Sequence, residues 1–291
     1  MGEEHPESPL RTKAIRDRLI TTGLMEELIP LEAFQAKKEH VLRVHHSTYV
    51  EQLDRISPRH GLIQADPDTL MGPHTWEASY LAAGAGILAV DGVMNKAFNR
   101  AFCAVRPPGH HAEPNVTMGF CFFNNIAVAA EHAIKHHGLK KVAIIDFDVH
   151  QCNGTIEMYE NRPDVMVCTS FQHPFYPNSH WAVEHPHILL TPMVAFSDFR
   201  DVRTAWEEQW LPALIAHQPE MIFISAGFDA HTKDPLGQIN WQTEDYFWLT
   251  QAIAETADQL CHGRIVSILE GGYHLEALAD GAEAHIRALM A

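Results

Sequence analysis

Three residues of one short stretch, "IIDFDVHQCNGT" (144–155), have side chains suited to acting together. Asp146, Asp148 and His150 recur at every second position at the end of a largely apolar run, 142–147. On an extended chain, residues two apart leave the same face. If the strand continues that far, Asp148 and His150 reach a single cation. A third ligand must come from elsewhere, and Asp229, just after the apolar run 221–226, is the candidate. Two carboxylates and one imidazole suit Zn(II) and tolerate Fe(II) or Mn(II). Three protein ligands leave a coordination position open, the catalytic rather than the structural arrangement. Asp146 lies deeper, and a carboxylate there needs a cation or a histidine N–H beside it. Taken singly, Asp148 and Asp229 would suit helix caps or turns, and His150 a loop histidine; their coincidence points to a site.

The stretch "RPPGHHAEP" adds His110 and His111 on a loop stiffened by Pro107 and Pro108. Histidine is the natural general base near neutral pH. The pairs His45/His46 and His136/His137 lack both a rigid loop and a partner carboxylate, and are expected on the surface or in packing. In "EGGYH", Tyr273 follows two glycines and is placed to donate its O–H to a carbonyl oxygen as charge develops.

Something must bring these distant residues together. Six apolar runs read as strands: 101–105, 141–147, 165–171, 187–193, 221–226 and 264–269. They are continuous rather than alternating, as in a parallel sheet covered on both faces. Helical patterns occupy 74–97, 123–137, 202–217, 243–261 and 274–290, the second ending at Gly138 with His136 and His137 in its last turn. Strand–helix alternation without a Gly-, Ser- or Pro-rich linker predicts one α/β domain with a mainly parallel central sheet flanked by helices. Polar Gly/Pro loops follow five of the six strands, and in such sheets ligands bind beyond the carboxyl ends. The five loops are therefore expected to share one site.

Composition narrows the partners. The 291-residue chain carries 37 acidic and 21 basic side chains, a net charge of −16, with no Lys/Arg cluster for nucleic acid. Its five cysteines are scattered, with no C-x-x-C, and read as small buried residues of a reducing compartment. The start "MGEEHPESPL" is neither a signal peptide nor a myristoylation site, and the longest oily stretch is too short to span a bilayer. A soluble cytoplasmic protein without nucleic-acid or membrane partners is expected.

The assembled pieces resemble the zinc-dependent histone deacetylase superfamily, in wording closer to class II and bacterial deacetylase-like amidohydrolases than to class I. The resemblance runs through "HPESPLR" (5–11), "RVHHSTYVEQL" (43–53), "RPPGHHAE" (106–113) and "MGFCFFNNIAVAA" (118–130). It continues through "IIDFDVHQCNGT" (144–155), "SFQHPFYP" (170–177), "SAGFDAHTKDPLG" (225–237) and "EGGY" (270–273). It implies an arginase-like fold with zinc held by Asp148, His150 and Asp229. His111 would be the general base and acid, supported by Asn153, with His110 paired to Asp146. Tyr273 would polarise the scissile carbonyl. Phe120 and Tyr176 would wall an acyl-lysine tunnel, Gly119 would offer its carbonyl to the substrate N–H, and Arg11 would line a channel for released acetate. Potassium would bind through Asp146, Asp148, His150 and the carbonyls near Ser170 and Phe171.

The departures are specific. Gln151 and Cys152 stand where the family usually has His-Gly, which is expected to bend the loop and adjust Asn153. Tyr176 replaces the usual Phe, and the 170–177 segment is shorter than in many relatives, implying a more open rim. The family also has a β-strand before the H-P-E motif. Met1 lies only four residues before His5, so that strand is expected to be missing and the neighbouring sheet perturbed.

The implied activity is zinc-dependent hydrolysis of acylated lysine side chains, on a peptide or protein substrate, with further copies of this chain as the other expected partner. An acetylpolyamine or other small N-acyl amine amidohydrolase is the alternative, and a non-catalytic acyl-lysine binder a remote one. Polyamine-selective relatives carry a glutamate after the Asp-Pro of the 234–237 loop; Leu236 stands there and offers no cation handle. A two-metal ureohydrolase would need bridging carboxylates where Cys152 and His231 stand.

Overall fold

A computed structural model describes residues 1–2 and 4–291. In chain order the elements are helices α1 (Leu10–Thr21), α2 (Lys38–Val41) and α3 (Ser47–Ile56), then strands β1 (Ile63–Asp66) and β2 (Thr69–Met71). There follow α4 (Thr75–Met94), β3 (Arg100–Cys103), α5 (Asn125–Lys135), β4 (Val142–Asp146), α6 (Asn153–Tyr159), β5 (Val165–Gln172) and β6 (Ile188–Met193). The last third holds α7 (Arg200–Ala205), a π-helical turn (Trp206–Trp210), α8 (Leu211–His217), β7 (Ile222–Ala226), α9 (Thr243–Cys261), β8 (Ile265–Leu269) and α10 (Leu275–Met290).

All six expected strands form, within a few residues of the expected bounds, and they make one parallel sheet in the order β3-β8-β7-β4-β5-β6. Alternation within each strand splits the core. Ala143, Ile145, Ile222, Ile224 and Ile265 pack against α1, α7, α8, α9 and α10. Val142, Ile144, Val165, Val167 and Phe223 face α4, α5 and α6 on the other side. Both faces are covered, so the strands read as unbroken apolar runs.

The order sets the place of the site. From β4 the chain moves outward through β5 and β6, then returns to lay β7 and β8 on the other side of β4. The order therefore reverses between β4 and β7, which opens a crevice at their carboxyl ends. Asp146 pairs with Thr169 on one side and Ser225 on the other, so the loops after β4, β5 and β7 leave the sheet at one level.

Three expectations shift. The 123–137 helix ends at Lys135, with His136 as its cap. The 202–217 pattern is one helical run interrupted by the π turn, which inserts an extra residue beneath the buried Trp206 and Trp210. The strand ends at Asp146, so the turn after it, not strand alternation, brings Asp148 and His150 together. β3 is an edge strand: its outer side has no strand partner among the described residues, and it is only partly buried. All five cysteines are free and buried. Among the described residues, no helix is long and apolar enough to cross a membrane.

Trp210, with Trp241, is among the largest fully buried side chains, and its indole N–H donates to Thr191 Oγ1 across 3.2 Å. Trp210→Ala is expected to lower stability by about 3–5 kcal/mol, read by urea denaturation.

Candidate functional site: a metal centre beneath an aromatic pocket

The crevice holds a pocket of about 380 Å³ lined by Asp68, His111, Gly119, Phe120, His150, Phe175, Tyr176, the 235–238 turn and Tyr273. All five expected loops contribute to the pocket or to the cluster beneath it.

Beneath the pocket, donor atoms of Asp148, His150 and Asp229 lie within 4.8 Å of one another, and all three residues are buried. His150 Nδ1 is 3.0 Å from Asp148 Oδ1 and 3.2 Å from Asp229 Oδ2. Backbone donors fix the carboxylates: His150 N–H and Gly271 N–H donate to Asp148 (2.8 Å each), and Val149 N–H donates to Asp229 Oδ1 (2.8 Å). Asp229 Oδ2 is buried and, among the described residues, has the close ion-pair contact with His150 but no hydrogen bond of good geometry. A Cβ at residue 271 would sit 2.0 Å from that oxygen and 2.6 Å from Asp148 Oδ2, so only glycine lets the backbone close around the cluster. This donor set and the orphaned oxygen fit a divalent cation.

The electrostatics agree. Burial opposes a charged His150, but the hydrogen bond to Asp148 and the adjacent Asp229 carboxylate raise it to about 10. Burial also works against Asp148, yet His110 and His150 hold it well below the usual carboxylate range. Asp229 is pushed up by burial and by Asp148. Two buried carboxylates this close call for positive charge between them.

The tandem histidines differ in environment. His110 Nδ1 lies 2.9 Å from Asp146 Oδ2. Burial disfavours its charge, but Asp148, Asp146 and Glu270 together raise its pKa well above the ordinary histidine value. His111 Nδ1 lies 2.7 Å from Asn153 Oδ1. Burial, with His110 and His150 beside it, lowers His111 well below that value. An amide oxygen accepts only, so neutral His111 carries its proton on Nδ1 and leaves Nε2 free as a base.

Four supporting residues had no role in the sequence reading. Glu270, within the quoted "EGGYH", accepts from the Gly109 and His110 N–H groups at 2.6 and 3.1 Å and so fixes the tandem loop. Burial pushes its carboxyl up to about 7. Asp234 Oδ2 accepts from the Tyr273 and His274 N–H groups, and its Oδ1 from Leu236 N–H. Glu7 takes Arg106 through both carboxylate oxygens, with Arg11 beside it. Phe175 stacks on His150 at 5.5 Å. A carboxylate directly after an apolar strand, as at Glu270, was the available sequence signal.

Gly119 and Phe120 both have positive φ, and a Cβ at residue 119 would sit 2.2 Å from the His111 ring. The turn between β1 and β2 holds them there: Asp68 Oδ1 accepts from Gly119 N–H and Thr69 Oγ1 from Phe120 N–H. Arg11 is buried, donates to the carbonyls of Gly272 and Glu270, and lies 4.9 Å over the Tyr273 ring. Gln151 donates to the His180 carbonyl, and Cys152 is buried ahead of α6, so the unusual pair still delivers Asn153 to His111. His136/His137 require a correction: His137 does have a partner carboxylate, Asp91, at 2.7 Å.

Known proteins define the class. The histone deacetylase domain matches residues 5–289. Histone deacetylase 14, chloroplastic, of Arabidopsis thaliana is 36% identical over 99% of this chain and 73% of its own length. Polyamine deacetylase HDAC10 of Homo sapiens is 34% identical over 98% of this chain and 44% of its own. A solved structure, the HDA15 HD domain, superposes with a TM-score of 0.93 at 33% identity, covering 100% of this chain and 84% of that one. The chain belongs to the histone deacetylase family. It is a hydrolase acting on amides.

Proposed function

We propose that the protein hydrolyses the amide of acylated lysine side chains, with zinc held by Asp148, His150 and Asp229. The observation that carries this reading is the buried, partly orphaned donor cluster beneath an aromatic pocket that also exposes His111 and Tyr273. A bound zinc ion supplies electrophilic charge beside the scissile carbonyl.

The chain's own residues do the rest. His111 takes the attacking water's proton at Nε2 while Asn153 holds Nδ1, then returns it to the departing amine. His110, hydrogen-bonded to Asp146, places positive charge beside it. Burial keeps the Tyr273 hydroxyl protonated, so it donates to the carbonyl oxygen as negative charge grows. Phe120 and Tyr176 flank the neutral acyl-lysine stem, and the Gly119 carbonyl accepts its N–H. Arg11, packed beneath Tyr273, lines the way out for acetate. We further assign potassium to Asp146, Asp148, His150 and the Ser170–Phe171 backbone; the buried, unpartnered hydroxyls of Thr169 and Ser170 nearby support a polar ion there.

One observation favours a second reading, hydrolysis of small acylated amines: the human relative is named a polyamine deacetylase. Leu236 on the pocket rim argues for lysine, because it offers an approaching amine no counter-charge. We expect kcat/KM for an acetyl-lysine peptide to exceed that for N-acetylputrescine at least about tenfold, the scale of one missing ion pair. The reverse order would select the polyamine reading.

A further inference from the structure

Away from the pocket, the carboxyl end of α5 carries a second group of metal-ligating side chains. His132, His136 and His137 gather there and face Asp91 of α4, with one donor atom from each within 4.8 Å of the others. His132 Nε2 and His137 Nε2 lie 2.8 and 2.7 Å from the same Asp91 oxygen. The His136 ring stacks on His132 at 4.8 Å, and His137 stands edge-on to both. The turn after the helix is fixed by Gly138, at φ +76, and by Leu139 N–H donating to the Ala133 carbonyl. Asn124, which caps the other end of α5, donates to the Ala112 carbonyl beside the tandem histidines. The cluster thus lies about a helix length, roughly 16 Å, from that loop.

We propose that these four residues form a second, structural metal site for a borderline divalent transition ion such as Zn(II) or Ni(II), which staples α4 to α5. Three imidazoles and a carboxylate match such ions in softness, and four protein ligands close the coordination sphere, as structural sites do. The negative end of the α5 dipole adds attraction for a cation. Tetrahedral zinc sets its donors about 3.4 Å apart, so the widest gap must close by side-chain rotation. His136 is exposed and free to make that rotation.

One neighbour opposes binding. Arg43 Nη1 lies 3.3 Å from His132 Nδ1. A His132 that binds metal through Nε2 carries its proton on Nδ1 and cannot accept from a guanidinium. Arg43 therefore has to swing aside, and it sets the affinity of the site.

Equilibrium dialysis against Zn(II), with metal counted by atomic emission, tests the site through differences between variants. His137→Asn and Asp91→Ala should each lose one equivalent relative to wild type, with deacetylase activity within about twofold. His150→Ala should lose a different equivalent, and the His137→Asn/His150→Ala protein should lose both. Arg43→Gln should bind the second ion about tenfold more tightly. Circular dichroism of each variant confirms that it is folded. Wild-type stoichiometry retained by folded His137→Asn and Asp91→Ala would overturn the site. Unchanged affinity in Arg43→Gln would overturn the role given to Arg43.

Discussion

His150→Ala is expected to lose one equivalent of metal and to lower kcat/KM for an acetyl-lysine peptide by about 10³-fold or more, some 4 kcal/mol of transition-state stabilisation. The substitution does more than remove a ligand. His150 is the group that Asp148 and Asp229 share, at 3.0 and 3.2 Å. Without it, two buried carboxylates face each other, and one must take up a proton. The remaining donors are two oxygens, one of them neutral, a poor set for zinc. Metal content and initial rates on the same preparation check the result. Full metal retention with full activity would place the catalytic centre elsewhere.

Tyr273→Phe should lower kcat by about 10²–10³-fold, the usual cost of one oxyanion donor, while leaving metal content and KM near wild type. The ring should stay where it is. Asp234 holds the residue's backbone N–H at 2.6 Å, Arg11 lies over one face, and Phe120 meets the ring edge-on at 6.0 Å. Only the hydroxyl is lost. A rise in KM without a fall in kcat would mean that Tyr273 merely packs against substrate.

Much of this arrangement was legible in the sequence because buried parallel strands leave a strong mark. Val142–Asp146 and Ile222–Ala226 are fully buried, so their apolar runs stand out and the acids that follow them are conspicuous. Asp148, His150 and Asp229 converge for that reason. The local explanation for the first two was wrong: the strand ends at Asp146, and hydrogen bonds within the turn supply the geometry.

The supporting residues were harder to read. Asp234 and Glu270 act on backbone N–H groups far away in sequence, and no local pattern announces such a contact. Asp91 and His137 are 46 residues apart, one on α4 and the other in the turn after α5. A histidine pair near a helix end looks like solvated surface until the partner helix is in place. The short β1–β2 pair was missed because four- and three-residue strands show too little periodicity, yet its turn holds Gly119 and Phe120 in their positive-φ conformations.

The central claim is amide hydrolysis that depends on metal at the Asp148–His150–Asp229 cluster. Acetate release from an acetyl-lysine peptide tests it most directly, measured on protein stripped with a chelator, dialysed, and then given zinc. Stripped protein should release no acetate above background, and zinc should restore wild-type activity but not that of His111→Ala. Undiminished acetate release by verified metal-free protein would contradict it.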